Sequence, residues 1–178
     1  MTFDEIKFKA LVLYILWRAG GVPAFGATKL NKVVWFSEAR CFEALGKEIT
    51  GETFIREKFG PVPRHIKGVL RELTESGQVQ AWTEPYHEHQ IQRYSVANPP
   101  DISTFSPQEL SFIDWWIKHI SEEHTARSIS DKSHDYGWQI AEMGETLPLH
   151  AVLASRIREP TAEEVEWAQQ QKRARETT

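Results

Sequence analysis

The chain has 178 residues, enough for one domain, and 40% of them are hydrophobic, so it can build a sizeable core. Its formal net charge of −4 lacks the basic excess that is typical of proteins that bind nucleic acid. A single cysteine, Cys41, excludes an internal disulfide framework and Cys-based zinc fingers. Without a signal-peptide pattern or an apolar run of roughly 20 residues, the sequence predicts a cytoplasmic protein with no membrane partner.

The first predicted helix covers residues 3–19 and begins with a capping pattern of Thr2 and Glu5. Apolar residues occupy nearly every side of this helix, so we expect it to be central and buried all round. One of its apolar faces consists of Phe3, Ile6, Ala10, Leu13 and Trp17.

The second predicted helix covers residues 29–45. Thr28 can cap its first turn, because a threonine hydroxyl accepts a hydrogen bond from a free backbone N–H there. Gly46 is well placed to end it, because glycine adopts the left-handed conformation at low cost. Residues 48–54 then predict an extended segment or a short helix.

A stiff, non-helical elbow is predicted next, at Lys58-Phe59-Gly60-Pro61-Val62-Pro63. Glycine permits unusual backbone angles, and the two prolines fix φ. A third helix follows over residues 63–76, with proline in its first turn. Its buried face consists of Ile66, Val69, Leu70 and Leu73.

The second half of the chain begins with a predicted hairpin, whose strands cover 79–82 and 91–96 and join through Glu84-Pro85-Tyr86. Ser106 and Glu109 then form a capping box with proline between them, which starts a fourth helix. Its inward residues are Leu110, Ile113, Trp116, Ile117 and Ile120.

Shorter helical pieces are predicted over 126–133 and 149–157, and a last polar helix begins at Thr161. The predicted fold is therefore mostly α, or α+β by strict count. It is a single compact helical domain over 1–158 with a small β-hairpin, followed by a polar helical tail over 159–178.

Two histidine arrangements contain residue types that could form a chemical site. Ser133-His134-Asp135 contains the residue types of a triad, but neighbours in the chain do not point at each other in the required order. We therefore expect His134 to be a hydrogen-bonded residue of a capped turn. His87 and His89 would share one face of a strand, yet zinc needs three or four ligands.

The sequence predicts no cofactor and no metal, since it has neither a P-loop nor a dinucleotide-binding glycine pattern. An enzyme that uses His134 or the His87/His89 pair is kept as the least favoured alternative.

A winged-helix regulator is a second alternative, because the second and third helices and the hairpin are similar in order to that DNA-binding unit. Arg64, Lys67 and Arg71 follow a helical spacing and could form its polar face. Glu72 and Glu75 dilute that charge, so an ordinary solvated helix face explains the pattern as well.

Three motifs together resemble the Panacea antitoxin domain, also called the SocA-like or DUF4065-type domain. Lys29-Leu30-Asn31-Lys32-Val33-Val34-Trp35-Phe36 resembles the "K-L-x-K-L-L-Y-F" helix of that family. Lys58-Phe59-Gly60-Pro61-Val62 resembles its "Y-G-P-V" segment, and residues 128–134 with Trp138 resemble its "L-S-x-x-T-H…W" segment. Three residues depart mildly from the family pattern. Trp35 stands where Tyr is commoner, Phe59 where Tyr or Trp is commoner, and Ser133 where Thr is usual.

The resemblance implies a non-enzymatic antitoxin of a toxin–antitoxin system, with a role such as phage defence. It implies direct binding of a cognate protein toxin encoded nearby, with a protease or a chaperone as a further partner, and no nucleic-acid partner. The residues assigned to toxin binding are Lys58, Phe59, Gly60, Pro61, Val62, His134 and Trp138. The motif residues assigned a structural role are Lys29, Leu30, Lys32, Trp35 and Phe36.

Two interpretations of Phe59 stay open at this point. Most phenylalanines are buried, which favours a core position under the second helix. An aromatic residue on a stiff turn loses little side-chain entropy on binding, which favours an interface anchor.

Overall fold

The computed structural model describes residues 2–156, 161–163, 166 and 170. This part of the chain is mostly helical and carries two small antiparallel sheets, so the predicted fold class is confirmed. The helices are α1 (Glu5–Ala19), α2 (Ala27–Leu45), α3 (Ile66–Glu75), α4 (Pro107–Glu123), α5 (Ala126–Lys132), α6 (Tyr136–Ile140) and a 3-10 helix (Leu149–Arg156). The strands are β1 (Phe54–Glu57), β2 (Gly60–Pro63), β3 (Gln80–Tyr86), β4 (His89–Ser95) and β5 (Thr146–Leu147).

Helix α2 is the centre of the fold and contacts α1, α4, α5, β2, β4 and the 3-10 helix. Leu30 and Trp35 of this helix are buried, and Trp35 meets the ring of Phe54 in β1 edge to face at 4.8 Å. Phe36 stacks on Trp116 of α4 with ring centroids 4.4 Å apart. Gly46 ends the helix at φ 68°, as predicted, while Gly26 rather than Thr28 stands at its N-cap.

Helix α1 is buried over most of its surface, but the expectation of burial on all sides is wrong. Its core face consists of Phe8, Leu11, Val12, Ile15 and Leu16. Ile6 and Trp17 lie on the outer side and are exposed, because no described element covers that side of the helix there. The helix begins two residues later than predicted, because the Asp4 carboxylate, not Thr2, accepts the backbone N–H of Lys7.

The predicted elbow is a β-hairpin. Strands β1 and β2 pair in antiparallel register with Glu57 opposite Gly60, which leaves Lys58 and Phe59 as a two-residue turn. Strand β2 lies at the edge of a sheet of order β2-β1-β5, where Pro61 is tolerated because its missing N–H is not needed on the outer side. Pro63 ends this strand instead of starting α3.

The second hairpin is longer than predicted, and its turn is in a different place. Pro85 pairs with Gln90, so the turn consists of His87 and Glu88, with His87 at φ 52°. An edge strand again accommodates the proline that suggested a turn. The hairpin is fixed to the end of α1 by the buried Arg93, which donates to the carbonyls of Gly20 and Val22 at 2.9 and 3.1 Å.

Helix α4 begins as predicted, with reciprocal hydrogen bonds between Ser106 and Glu109. Ile113, Ile117 and Ile120 are buried, as expected for its inner face. Glu109 also pairs with Lys7 at 3.0 Å, which joins α4 to α1. The boundary predicted at 158 and most of the predicted tail over 159–178 lie outside the described residues.

A buried carboxylate fixes the segment that leads from α2 into the first hairpin. Glu38 is fully buried and accepts the backbone N–H groups of Ile49 at 2.6 Å and Thr50 at 2.9 Å, as well as the Thr50 hydroxyl. The Thr50 carbonyl in turn accepts from the backbone N–H of Asp4 at 2.8 Å. This chain of bonds ties the start of α1 to the middle of α2.

We expect Glu38→Ala to lower the free energy of unfolding by about 3 kcal/mol, because it leaves two buried backbone donors without an acceptor. Urea denaturation at fixed pH measures this loss. Glu122→Ala, at an exposed position of α4, is the control and should change the free energy by less than about 0.5 kcal/mol. Equal stability of the two variants would contradict the role assigned to Glu38.

Candidate functional site

Three segments that are distant in sequence meet at one place, which we term the hairpin site. It consists of Lys32 from α2, residues 56–62 from the β1–β2 hairpin, and residues 130–138 from α5 and α6. These are the segments that carry the three sequence motifs. The fold therefore brings the motifs together around the backbone of the hairpin.

Gly60 is the position at which the three segments are closest. Its φ is +95°, a conformation that L side chains rarely adopt. A Cβ at this position would overlap Ser133 Oγ and lie 2.5 Å from Lys32 Nζ. Glycine is thus required here both by the backbone conformation and by the lack of space.

Lys32 is buried, with 1% of its surface exposed, although it carries an amine. Its Nζ donates a 2.9 Å hydrogen bond to the carbonyl of Pro61. Burial lowers the pKa of Lys32 to about 7, because the charged form loses its hydration. The amine therefore holds β2 against α2 and titrates near neutral pH.

Helices α5 and α6 hold the other side of the hairpin through its backbone. Ser130 Oγ donates to the carbonyl of Phe59 at 2.7 Å, and Trp138 Nε1 donates to the carbonyl of Glu57 at 3.0 Å. Arg56 Nε donates to the carbonyl of Trp138 at 2.9 Å. Together with the bond from Lys32 to Pro61, these bonds fix the backbone before, within and after the two-residue turn.

His134 is held by stacking instead of by the expected ring hydrogen bond. Its ring lies 3.6 Å from the ring of Trp138 at an interplanar angle of 9°, and the Arg56 guanidinium lies 4.2 Å from the Trp138 ring centroid. Its Nε2 is buried without a hydrogen-bond partner in the described part of the chain. Burial, and then the nearby charge of Lys32, lower the pKa of His134.

The side chains of Ser133, His134 and Asp135 have separate environments, as their adjacency in the chain predicts. Ser133 Oγ donates to the carbonyl of Ser130 at 2.6 Å. Asp135 caps α6 by accepting the backbone N–H of Trp138 at 2.9 Å. The three neighbours therefore form no proton relay.

The tip of the hairpin is the exposed part of the site. Phe59 is 61% exposed, so the core interpretation is wrong: in a two-residue turn it projects beyond the strands. Lys58 lies over its ring, with Nζ 5.4 Å from the centroid. Gly60 and Pro61 are buried and Val62 is half-buried, so an approaching partner meets Lys58 and Phe59 first.

The remaining candidate residues are placed apart from this site. His87 lies in the turn of the second hairpin, and no group of three or more His, Cys, Asp or Glu within the described ranges could hold a metal. On α3, Lys67 and Arg71 are exposed, while Arg64 before the helix donates to the Thr146 hydroxyl at 2.9 Å. Glu72 of the same helix pairs with Lys9 of α1.

The motif residues on α2 lie on or near its buried sides. Lys29, Leu30 and Trp35 are buried and Phe36 is half-buried, and burial lowers the pKa of Lys29. Sequence reasoning missed the contributions of Ser130 and Arg56. Ser130 stood within a quoted motif, but a serine that reaches a backbone carbonyl 71 residues away leaves no local signal.

The fold and the site define a small α-rich domain that presents a braced aromatic hairpin. A family model described as "Antitoxin SocA-like, Panacea domain" matches residues 30–139, which is more than half of the chain. The chain therefore belongs to the SocA-like Panacea antitoxin domain family. No curated protein and no solved structure matches the chain significantly. Within the described residues no helix is long and apolar enough to cross a membrane.

We expect Gly60→Ala to lower the free energy of unfolding by about 3 kcal/mol or more, because backbone strain and overlap with Lys32 and Ser133 add together. Gly46→Ala is the matched control, since φ there is +68° and nothing lies within 4 Å of the added Cβ. It should cost only about 1–2 kcal/mol. Equal losses in chemical denaturation would contradict the steric part of this account.

The lowered pKa of Lys32 predicts a pH dependence of stability. The unfolded chain keeps this proton up to pH 10.5, whereas the folded chain releases it above about pH 7. The free energy of unfolding should therefore rise with pH in this window. Relative to Lys32→Met, the wild type should gain about 2 kcal/mol between pH 7 and pH 9. Parallel curves for the two proteins, from urea denaturation across this range, would contradict the assignment.

Proposed function

We propose that this chain is an antitoxin that neutralises a protein toxin encoded by a neighbouring gene, and that it does so by direct binding through the hairpin tip. Membership of the family supports the antitoxin role. The observation that carries the proposed surface is the 61% exposure of Phe59 at the end of a hairpin whose backbone is held on both sides.

Rigidity is what makes an exposed phenylalanine suitable for this role. A partner that binds a mobile loop must pay the entropy of ordering it, whereas a braced turn is already ordered. Aromatic residues with few rotatable bonds are common anchors of protein interfaces for the same reason. Burial of Phe59 in a toxin would also remove a large apolar surface from water.

The proposed mechanism needs no catalysis by this chain. The toxin is blocked if the bound antitoxin covers its functional surface, or removed if the complex is delivered to a protease or a chaperone. Both routes require the same contact, and they differ in whether the level of toxin falls in the cell.

We propose no DNA-binding function. The winged-helix alternative would use Lys67 and Arg71 of α3, but Glu72 and Glu75 share that helix and the chain is acidic overall. Phosphate contacts usually come from a surface with a clear basic excess.

We expect Phe59→Ala to leave the free energy of unfolding within about 0.5 kcal/mol of the wild type, since the side chain is exposed. The same change should weaken toxin binding by roughly 2 kcal/mol or more, and it should abolish rescue of growth when both genes are expressed. Titration calorimetry with the protein encoded by the neighbouring gene measures the loss of toxin binding.

The matched control is Tyr86→Ala, which removes another exposed aromatic ring near the end of a hairpin. It should leave both binding and rescue unchanged. If Phe59→Ala and Tyr86→Ala both rescue growth fully, the proposed contact surface is wrong. If the wild type itself binds no toxin and gives no rescue, the proposed function is wrong.

A further inference from the structure

A pocket of about 290 Å³ lies beside the hairpin tip, between α2 and α3. Three lysines line it: Lys32 from α2, Lys58 from the tip and Lys67 from α3. Glu57 is the one carboxylate among its lining residues. Because the whole chain has a net charge of −4, this local excess of positive charge departs from the overall balance of the molecule. Such a pocket attracts an anionic group.

Lys32, which forms part of the pocket wall, carries a buried amine without a counter-ion in the described part of the chain. Buried charges in proteins are normally paired, because an isolated ion loses its hydration without compensation. Within the described residues, Lys32 forms no ion pair, and its amine donates to the carbonyl of Pro61. A carboxylate in the pocket would bring a negative charge near this amine and favour its protonated form.

The other two lysines are placed to receive the same group. Lys67 is exposed and forms no ion pair in the described part of the chain. Lys58 lies over the exposed ring of Phe59, which sets its amine beside an apolar surface. The pocket and the tip together thus offer positive charge next to an aromatic anchor.

We propose that this pocket receives an aspartate or glutamate side chain of the bound toxin while Phe59 packs against an apolar patch beside that residue. The inference rests on the proposed function and specifies the chemistry of the partner. A nucleic-acid phosphate is the other source of an anion. Glu57 in the pocket and the negative net charge oppose a polyanion, whereas a single carboxylate on a protein surface meets mainly the local lysines.

The first test is a charge reversal at the exposed wall of the pocket. Lys67→Glu should weaken binding of the protein encoded by the neighbouring gene about tenfold or more, and binding should become less sensitive to salt. Lys118→Glu is the control, because Lys118 is an exposed lysine of α4 that does not line the pocket. It should change the dissociation constant by about twofold at most. Calorimetry at 50 and 300 mM NaCl measures the dissociation constant of each variant and its dependence on salt.

The second test is a charge swap. Each surface Asp or Glu of the toxin is changed in turn to Lys, and the variants are titrated against the Lys67→Glu chain. We expect one of these toxin variants to restore most of the lost affinity, since it would place a cation opposite the new carboxylate. Circular dichroism of the Lys67→Glu chain establishes that it is folded.

The outcomes separate this inference from the proposed function. Equal effects of Lys67→Glu and Lys118→Glu on toxin binding would overturn the proposed role of the pocket. A charge swap that restores no affinity would overturn it as well. If Phe59→Ala abolishes binding and Lys67→Glu does not, the inference fails while the proposed function stands. If the wild type binds duplex DNA, and Lys67→Glu removes only that binding, the pocket serves phosphate and the inference is overturned. No binding of the toxin by the wild type would overturn both.

Discussion

The amine of Lys32, buried against the backbone of Gly60 and Pro61, fixes the first hairpin on the central helix. One hydrogen bond of 2.9 Å sets the distance, and the missing side chain of Gly60 makes the approach possible. Ser133 Oγ and Lys32 Nζ both occupy the space where a Cβ of this glycine would stand. Since the tip extends only two residues beyond the strands, fixing the backbone at Gly60 also fixes where Phe59 points.

This contact explains why three short motifs occur in segments about 25 and 70 residues apart. A lysine, a glycine and a serine can pack this closely only if all three are present, because a larger residue at 60 collides and a smaller one at 32 leaves a carbonyl unpaired. Hydrogen bonds from Trp138 to the carbonyl of Glu57 and from Arg56 to the carbonyl of Trp138 then hold α6 beside β1, and His134 stacks on the Trp138 ring. The motifs of the family thus describe one arrangement of packing, and the second motif also contains the exposed tip, Lys58 and Phe59, that this packing supports.

The elements with strong local signals were predicted well, whereas the site depended on contacts that the sequence does not display. Ser106 and Glu109 lie three residues apart, so the start of α4 could be predicted from them alone. The proline-rich segment was interpreted as an elbow because Pro61 suits a turn and an edge strand equally, and strand pairing is a tertiary property. Ile6 is exposed because no described element packs over it. The periodicity of the sequence does not indicate which side of a helix its neighbours cover. The burial of Lys32 likewise could not be predicted from the sequence, since lysines are mostly exposed.

Burying the amine of Lys32 to hold the hairpin costs free energy, because the amine loses its hydration. This cost raises the question of what a lysine does here that an apolar residue could not. A methionine of similar length would fill the same space without losing hydration, and replacement of buried ionic groups by apolar ones is often neutral or stabilising. What the methionine could not do is donate a hydrogen bond to the carbonyl of Pro61, which joins β2 to α2. A donor that also borders the pocket at the tip links the position of the hairpin to any anion that binds there. On this argument Lys32 serves the position of the hairpin tip more than the stability of the fold.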